Sequence, residues 1–128
     1  MLPEEVRFLI QSTVPTIDAL EVLLFLVRHP GTAWRASEIV NQMQPTVITQ
    51  TAAAEYIALF EEHGLVVAQE DDADSFVYGP ASPELAEAMA ALVLAYNERP
   101  VTLIRVVYEV ANSKSIRSFA DAFKFKKK

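Results

Sequence analysis

Four carboxylates fall within six residues at EDDADS, where Glu70, Asp71, Asp72 and Asp74 form the chain's densest group of oxygen ligands. A calcium loop of the helix-loop-helix kind needs its acids at alternating positions, a glycine at the turn and a distant bidentate glutamate. EDDADS lacks that spacing, so a solvated turn is expected there and no metal. Softer ligands are scarce. The chain has no cysteine and two histidines, His29 and His63, which leaves no disulfide, no thiolate chemistry and no ordinary zinc set. His63 falls in the last turn of an expected helix, where an imidazolium meets the helix dipole favourably, so it reads as structural rather than as a general base. Trp34 reads as a core or interface anchor. There is no G-x-S-x-G, no phosphate loop and no H-E-x-x-H, and the chain has three glycines. No catalytic residue and no cofactor are expected, and a binding function is expected instead.

Charge is the stronger signal. The net charge is −6, but residues 1–35 sum to −1 (three basic, four acidic), 36–98 to −11 (no basic, eleven acidic) and 99–128 to +6 (eight basic, two acidic). An acidic block of this kind repels phosphate, whereas the basic end can meet an acidic partner, a lipid surface, nucleic acid or the chain's own body. At that end Phe119, Phe123 and Phe125 are the one aromatic cluster beside basic charge. Such a cluster suits single-stranded nucleic acid, a lipid interface or docking of a helix on its own body or on a partner subunit.

The elements that position these residues follow from local signals. With 128 residues and 52% apolar composition, the chain is long enough to bury roughly two thirds of its unfolded surface as one domain. A short opening helix is expected from Pro3 to Gln11, with acids in its first turn. Thr16 caps a core helix over IDALEVLLFLVRHPG, with Leu20, Leu23, Leu24 and Val27 on a broad face and a stop at Pro30 and Gly31. TAWRA gives a few strand residues. SEIVNQM gives a short helix with Ile39, Val40 and Met43 inward, ended by Pro45. Thr49 caps a third helix, QTAAAEYIALFEEH, which buries Ala53, Ile57 and Phe60 and ends at Gly64. LVVAQ and FVYG make a hairpin around the acidic tip. Ser82, Pro83 and Glu84 open the next helix, and Pro100 breaks or kinks it before VTLIRVVYEVAN. SIRSFADAFKFKKK places Ile116, Phe119, Ala120 and Phe123 on one helical face. The N-terminus carries acids where a signal peptide is basic, and no apolar run approaches the ~20 residues of a membrane span. A cytoplasmic protein with no integral membrane segment is expected.

The phrase SEIVNQM…TQTAAAEYIALFEEHGLV resembles the heart of MarR-type bacterial regulators, in which a capped recognition helix ends in a phrase like LFEEHGLV and a hairpin follows. The resemblance implies a mainly α fold with a small β-hairpin, a winged helix-turn-helix plus C-terminal helices. Residues 16–80 form its winged-helix core, 82–111 a long or kinked helical segment, and 115–125 an amphipathic helix with a basic tail. It also implies a transcription regulator that binds DNA. Carried over, the groove-facing positions are Gln50, Thr51, Ala54 and Glu55, with Gln50 reading adenine and Thr51 touching phosphate. Arg28 and Arg35 are the nearest cations, since the family's basic wing tip is replaced here by acids. The ending SIRSFADAFKFKKK resembles those of small uncharacterised bacterial proteins, which adds kinship without mechanism.

Two readings stay open. In one, a regulator takes its DNA contacts from Gln50, Thr51, Arg28, Arg35 and the basic tail. In the other, the acidic winged helix is a protein-interaction module. A homodimer is expected through residues 82–111, where Leu85, Met89, Leu92, Val93, Tyr96, Leu103, Ile104 and Val107 exceed what one small winged helix is expected to cover. Ile116, Phe119, Phe123 and Lys124 are the expected partner-binding residues of the tail.

Overall fold

The computed structural model describes residues 2–44 and 48–111. In chain order it contains helices α1 (Glu4–Thr13), α2 (Ile17–Arg28), α3 (Ala36–Gln42) and α4 (Gln50–Glu62), strands β1 (Val66–Ala68) and β2 (Phe76–Tyr78), and helix α5 (Pro83–Glu98). A further helix, α6, is described over 100–111. The architecture is mainly α with one small antiparallel hairpin, as the sequence leads one to expect.

The caps are set by short-range chemistry. Thr16, Thr49 and Ser82 each accept a hydrogen bond from the backbone N–H three residues on, at 3.1, 3.0 and 3.2 Å, which satisfies one of the donors every helix start leaves unpaired. Gly64 closes α4 at φ +78°, and Leu65 N–H reaches back to the Phe60 carbonyl at 2.8 Å. The chain thereby turns directly from α4 into β1. Two boundaries differ from expectation. α1 starts after Pro3, which is its N-cap, and runs on to Thr13. Its last hydroxyls are satisfied inside the helix, Ser12 bonding the Phe8 carbonyl at 3.0 Å and Thr13 that of Leu9 at 2.7 Å. TAWRA supplies no strand: Trp34 alone makes an isolated bridge to Phe76, exchanging two backbone hydrogen bonds of 2.8 and 2.9 Å.

α1 and α2 meet at a bend of 110°, with Val14 fully buried at the corner. α2 is apolar almost all round, so Val22 and Leu26 are buried along with Leu20, Leu23 and Leu24, while Val27 is only half-buried. α4 buries Ala53, Ile57 and Phe60 against it. Pro100 separates α5 from α6, with Arg99 outside helical geometry at φ −137° and ψ 59°. Both helices join the same core through Met89, Leu92, Leu103 and Val107. Those four are half of the apolar set expected to pair with a second copy; one copy of the chain covers them itself. Among the described residues, no single helix is long and apolar enough to cross a membrane.

Candidate functional site

The N-terminal half of α4 carries the expected groove-facing positions. Burial of Ala53, Ile57 and Phe60 fixes the helix rotation, so Gln50, Thr51, Ala54 and Glu55 are left in solvent. Beside them lies a groove of about 350 Å³ between the starts of α3 and α4 and the hairpin, lined by Arg35, Ala36, Ser37, Gln50, Ala54, Ile57, Asp74 and Phe76. The Trp34–Phe76 bridge carries the hairpin to this position, because it pins the residue before Arg35 to β2. Of the sequence-expected DNA residues, the groove brings together Gln50 and Arg35. Thr51 is exposed on the same turn but does not line it. Arg28 goes elsewhere: its guanidinium lies over the Tyr96 ring on α5, 5.4 Å from the centroid. Ile116, Phe119, Phe123 and Lys124 lie outside the described residues.

Among the described residues, Arg35 is the one lysine or arginine lining the groove, and it is already engaged. Its Nε donates to Asp72 Oδ2 at 3.0 Å, and a second guanidinium nitrogen donates to the same oxygen. That carboxylate also accepts from Ser75 Oγ at 2.9 Å and, through Oδ1, from the Asp74 N–H at 3.1 Å. The acidic tip is therefore a built turn organised around Asp72. The hydrogen bond from Arg35, then those from Ser75 and the Asp74 backbone, hold the Asp72 carboxyl below its ordinary range. The same hydrogen bond raises the Arg35 guanidinium above its own. Glu70, Asp71 and Asp74 point their charge at solvent. Nearby on β2, burial pushes the Tyr78 phenol up to about 12.

Two features were not found in the sequence. The Arg35–Asp72 pair joins residues far apart in the chain, and no local motif announces it. A ring cluster of Phe25, His29 and Trp34 caps the end of α2, with centroid distances of 4.5 Å for Phe25–His29 and 4.9 Å for Phe25–Trp34. The i, i+4 spacing of Phe25 and His29 on a helix was the available signal. Trp34 is half-buried against the core, in keeping with an anchoring role. Its indole Nε1 has no hydrogen-bond partner among the described residues.

No protein-family model, no curated protein and no solved structure matches the chain. The functional reading rests on the residues themselves.

Proposed function

We propose that the chain is a non-enzymatic regulatory protein of winged-helix type whose acidic α4–hairpin face binds a basic protein partner. The observation that supports this reading is the pairing of Arg35, the one lysine or arginine among the described residues lining the groove, with Asp72, on a face that also exposes Gln50, Glu55 and Asp74. A duplex binder draws much of its affinity from neutralising phosphates, each worth a salt slope of about 0.9. This face supplies almost none of that, and its exposed carboxylates would oppose a phosphate backbone. The same charges suit lysine- and arginine-rich segments and would steer them toward the surface.

The second reading, a DNA-binding regulator related to the MarR type, is favoured by the exposed Gln50 at the start of α4, a residue type able to form a bidentate pair with adenine. One titration separates the two. Isotope-labelled protein is titrated, at physiological salt, with an arginine- and lysine-rich peptide and with two helical turns of mixed-sequence duplex. Shifts at Gln50, Thr51, Ala54 and the hairpin tip with peptide alone are the expected result. Nanomolar duplex binding that survives removal of Lys124 to Lys128 would overturn it. In that case Gln50→Ala should change sequence preference.

A further inference from the structure

A second groove, about 620 Å³, runs between α1 and α5. Leu9 and Ala88 are buried beneath it, Leu85 is half-buried, and Phe8 stands at its edge 70% exposed. Glu4, Glu5 and Glu84 are exposed around it, Ser12, Thr13 and His63 complete the lining, and among the described residues no lysine or arginine lines it. The site therefore offers an apolar patch of Phe8, Leu9, Leu85 and Ala88 with three carboxylates at its margin. An amphipathic segment with aromatic residues on one face and cations on the other fits that pattern.

The chain contains one. Residues 112–128 carry six basic residues and one acid, and Ile116, Phe119 and Phe123 recur at i, i+3, i+7. A helix of that length is marginal on its own, so a stripe of this kind would need an apolar surface to pack on. Seventeen residues span at most about 60 Å. A 128-residue domain has a radius of gyration of about 14 Å, so the groove is within reach of the tether. Covalent attachment gives the segment an effective concentration on the order of millimolar, which favours the chain's own tail over a second copy's. The groove beside α4 is a poorer host for two phenylalanines followed by lysines, because it is smaller, about 350 Å³ against 620 Å³, and Arg35 lines it.

We propose that the basic C-terminal segment, residues 112–128, docks on its own chain in the α1–α5 groove. Phe119 and Phe123 lie against Phe8, Leu9 and Leu85, and the lysines face Glu4, Glu5 and Glu84. This placement is independent of what the α4–hairpin face binds, and it leaves that face acidic and open.

Because the chain has no cysteine, Ala122→Cys accepts a single nitroxide label for paramagnetic relaxation measurements on the full chain. The expected result is loss of amide signal along Glu4 to Thr13 and Glu84 to Ala88, unchanged on dilution. It should be absent when labelled-nitroxide protein of natural isotope content is mixed with isotope-labelled protein lacking the nitroxide. Phe119→Ala with Phe123→Ala, or reversal of Lys124, Lys126, Lys127 and Lys128 to Glu, should restore those signals. Neither variant alters a described residue, and unshifted α2 amides would verify the fold. Signal loss confined to the start of α4 and the hairpin tip, loss seen in the mixed sample, or no loss at all would each overturn the proposal.

Discussion

Asp72 accepts four hydrogen bonds, from two nitrogens of Arg35, from Ser75 and from the Asp74 backbone. A carboxylate held this way titrates below its reference value of 3.8. Its contribution to stability is complete above that value and is lost as the pH falls through the lower folded one. The Asp72 carboxyl carbon resonance should therefore show a midpoint below 3.8, and Arg35→Gln should move it back toward 3.8. Asp72→Ala should speed amide exchange at Asp74, whose N–H loses its side-chain acceptor, while leaving α4 protected, since the core beneath the helix does not depend on the turn. Tyr78 behaves in the opposite sense. Its phenol is pushed up to about 12 by burial, so the neutral form is the one the fold favours. Its contribution is complete below the ordinary phenol value of about 10 and disappears as the pH rises toward 12. Absorbance at the phenolate band should show a step near pH 12 that Tyr78→Phe abolishes, and stability should fall less steeply in the variant over that interval.

Between helices the informative residue is Thr16. Its hydroxyl accepts from the Ala19 N–H at 3.1 Å and donates to the Tyr56 hydroxyl at 3.0 Å, so one side chain caps α2 and ties it to α4. Thr16→Ala should cost about 1 to 2 kcal/mol by urea unfolding, and Tyr56→Phe about 1 kcal/mol or less, because only the first removes the cap. Equal losses would mean that the cap contributes nothing. Gly64→Ala should also destabilise by about 1 to 2 kcal/mol, since a Cβ there demands a left-handed backbone at φ +78° and comes within 3.1 Å of Ala81 Cβ. These positions show where sequence reasoning succeeds. Thr16, Thr49, Ser82, Gly64 and Pro100 act on backbone groups within a few residues, so each boundary was legible from local chemistry. α1 ran past Gln11 because hydroxyls can be satisfied inside a helix as well as at its end. Trp34 contributed one bridge rather than a strand because its partner, Phe76, is supplied from far along the chain. In the candidate site, the exposure of Gln50 and Thr51 followed from helical periodicity. The engagement of Arg35 did not, since pairing it with Asp72 requires the hairpin to fold over the start of α3.

At the scale of the whole molecule, periodicity shows that a face is apolar but not what covers it. Of the eight apolar positions that suggested pairing through 82–111, Met89, Leu92, Leu103 and Val107 are buried inside one chain, and Leu85, Val93, Tyr96 and Ile104 are half-buried. The large apolar side chains that this helical pair leaves in solvent among the described residues are Leu94, Val101 and Tyr108, each more than half exposed. We therefore propose that a homodimer, formed through the same segment, centres on these three. A standard interface buries about 800 Å² per partner and gives dissociation constants near micromolar or below, so light scattering at ~100 µM should report twice 14.2 kDa. Leu94→Asp or Val101→Asp should return the mass to that of one chain, with secondary structure retained, because neither side chain supports the core. Leu92→Ala should instead cost about 2 to 5 kcal/mol of stability through the cavity it leaves. A single-chain mass for the unaltered protein at that concentration would remove the dimer. Leu94, Val101 and Tyr108 would then be scattered surface apolar residues of the kind every folded chain retains.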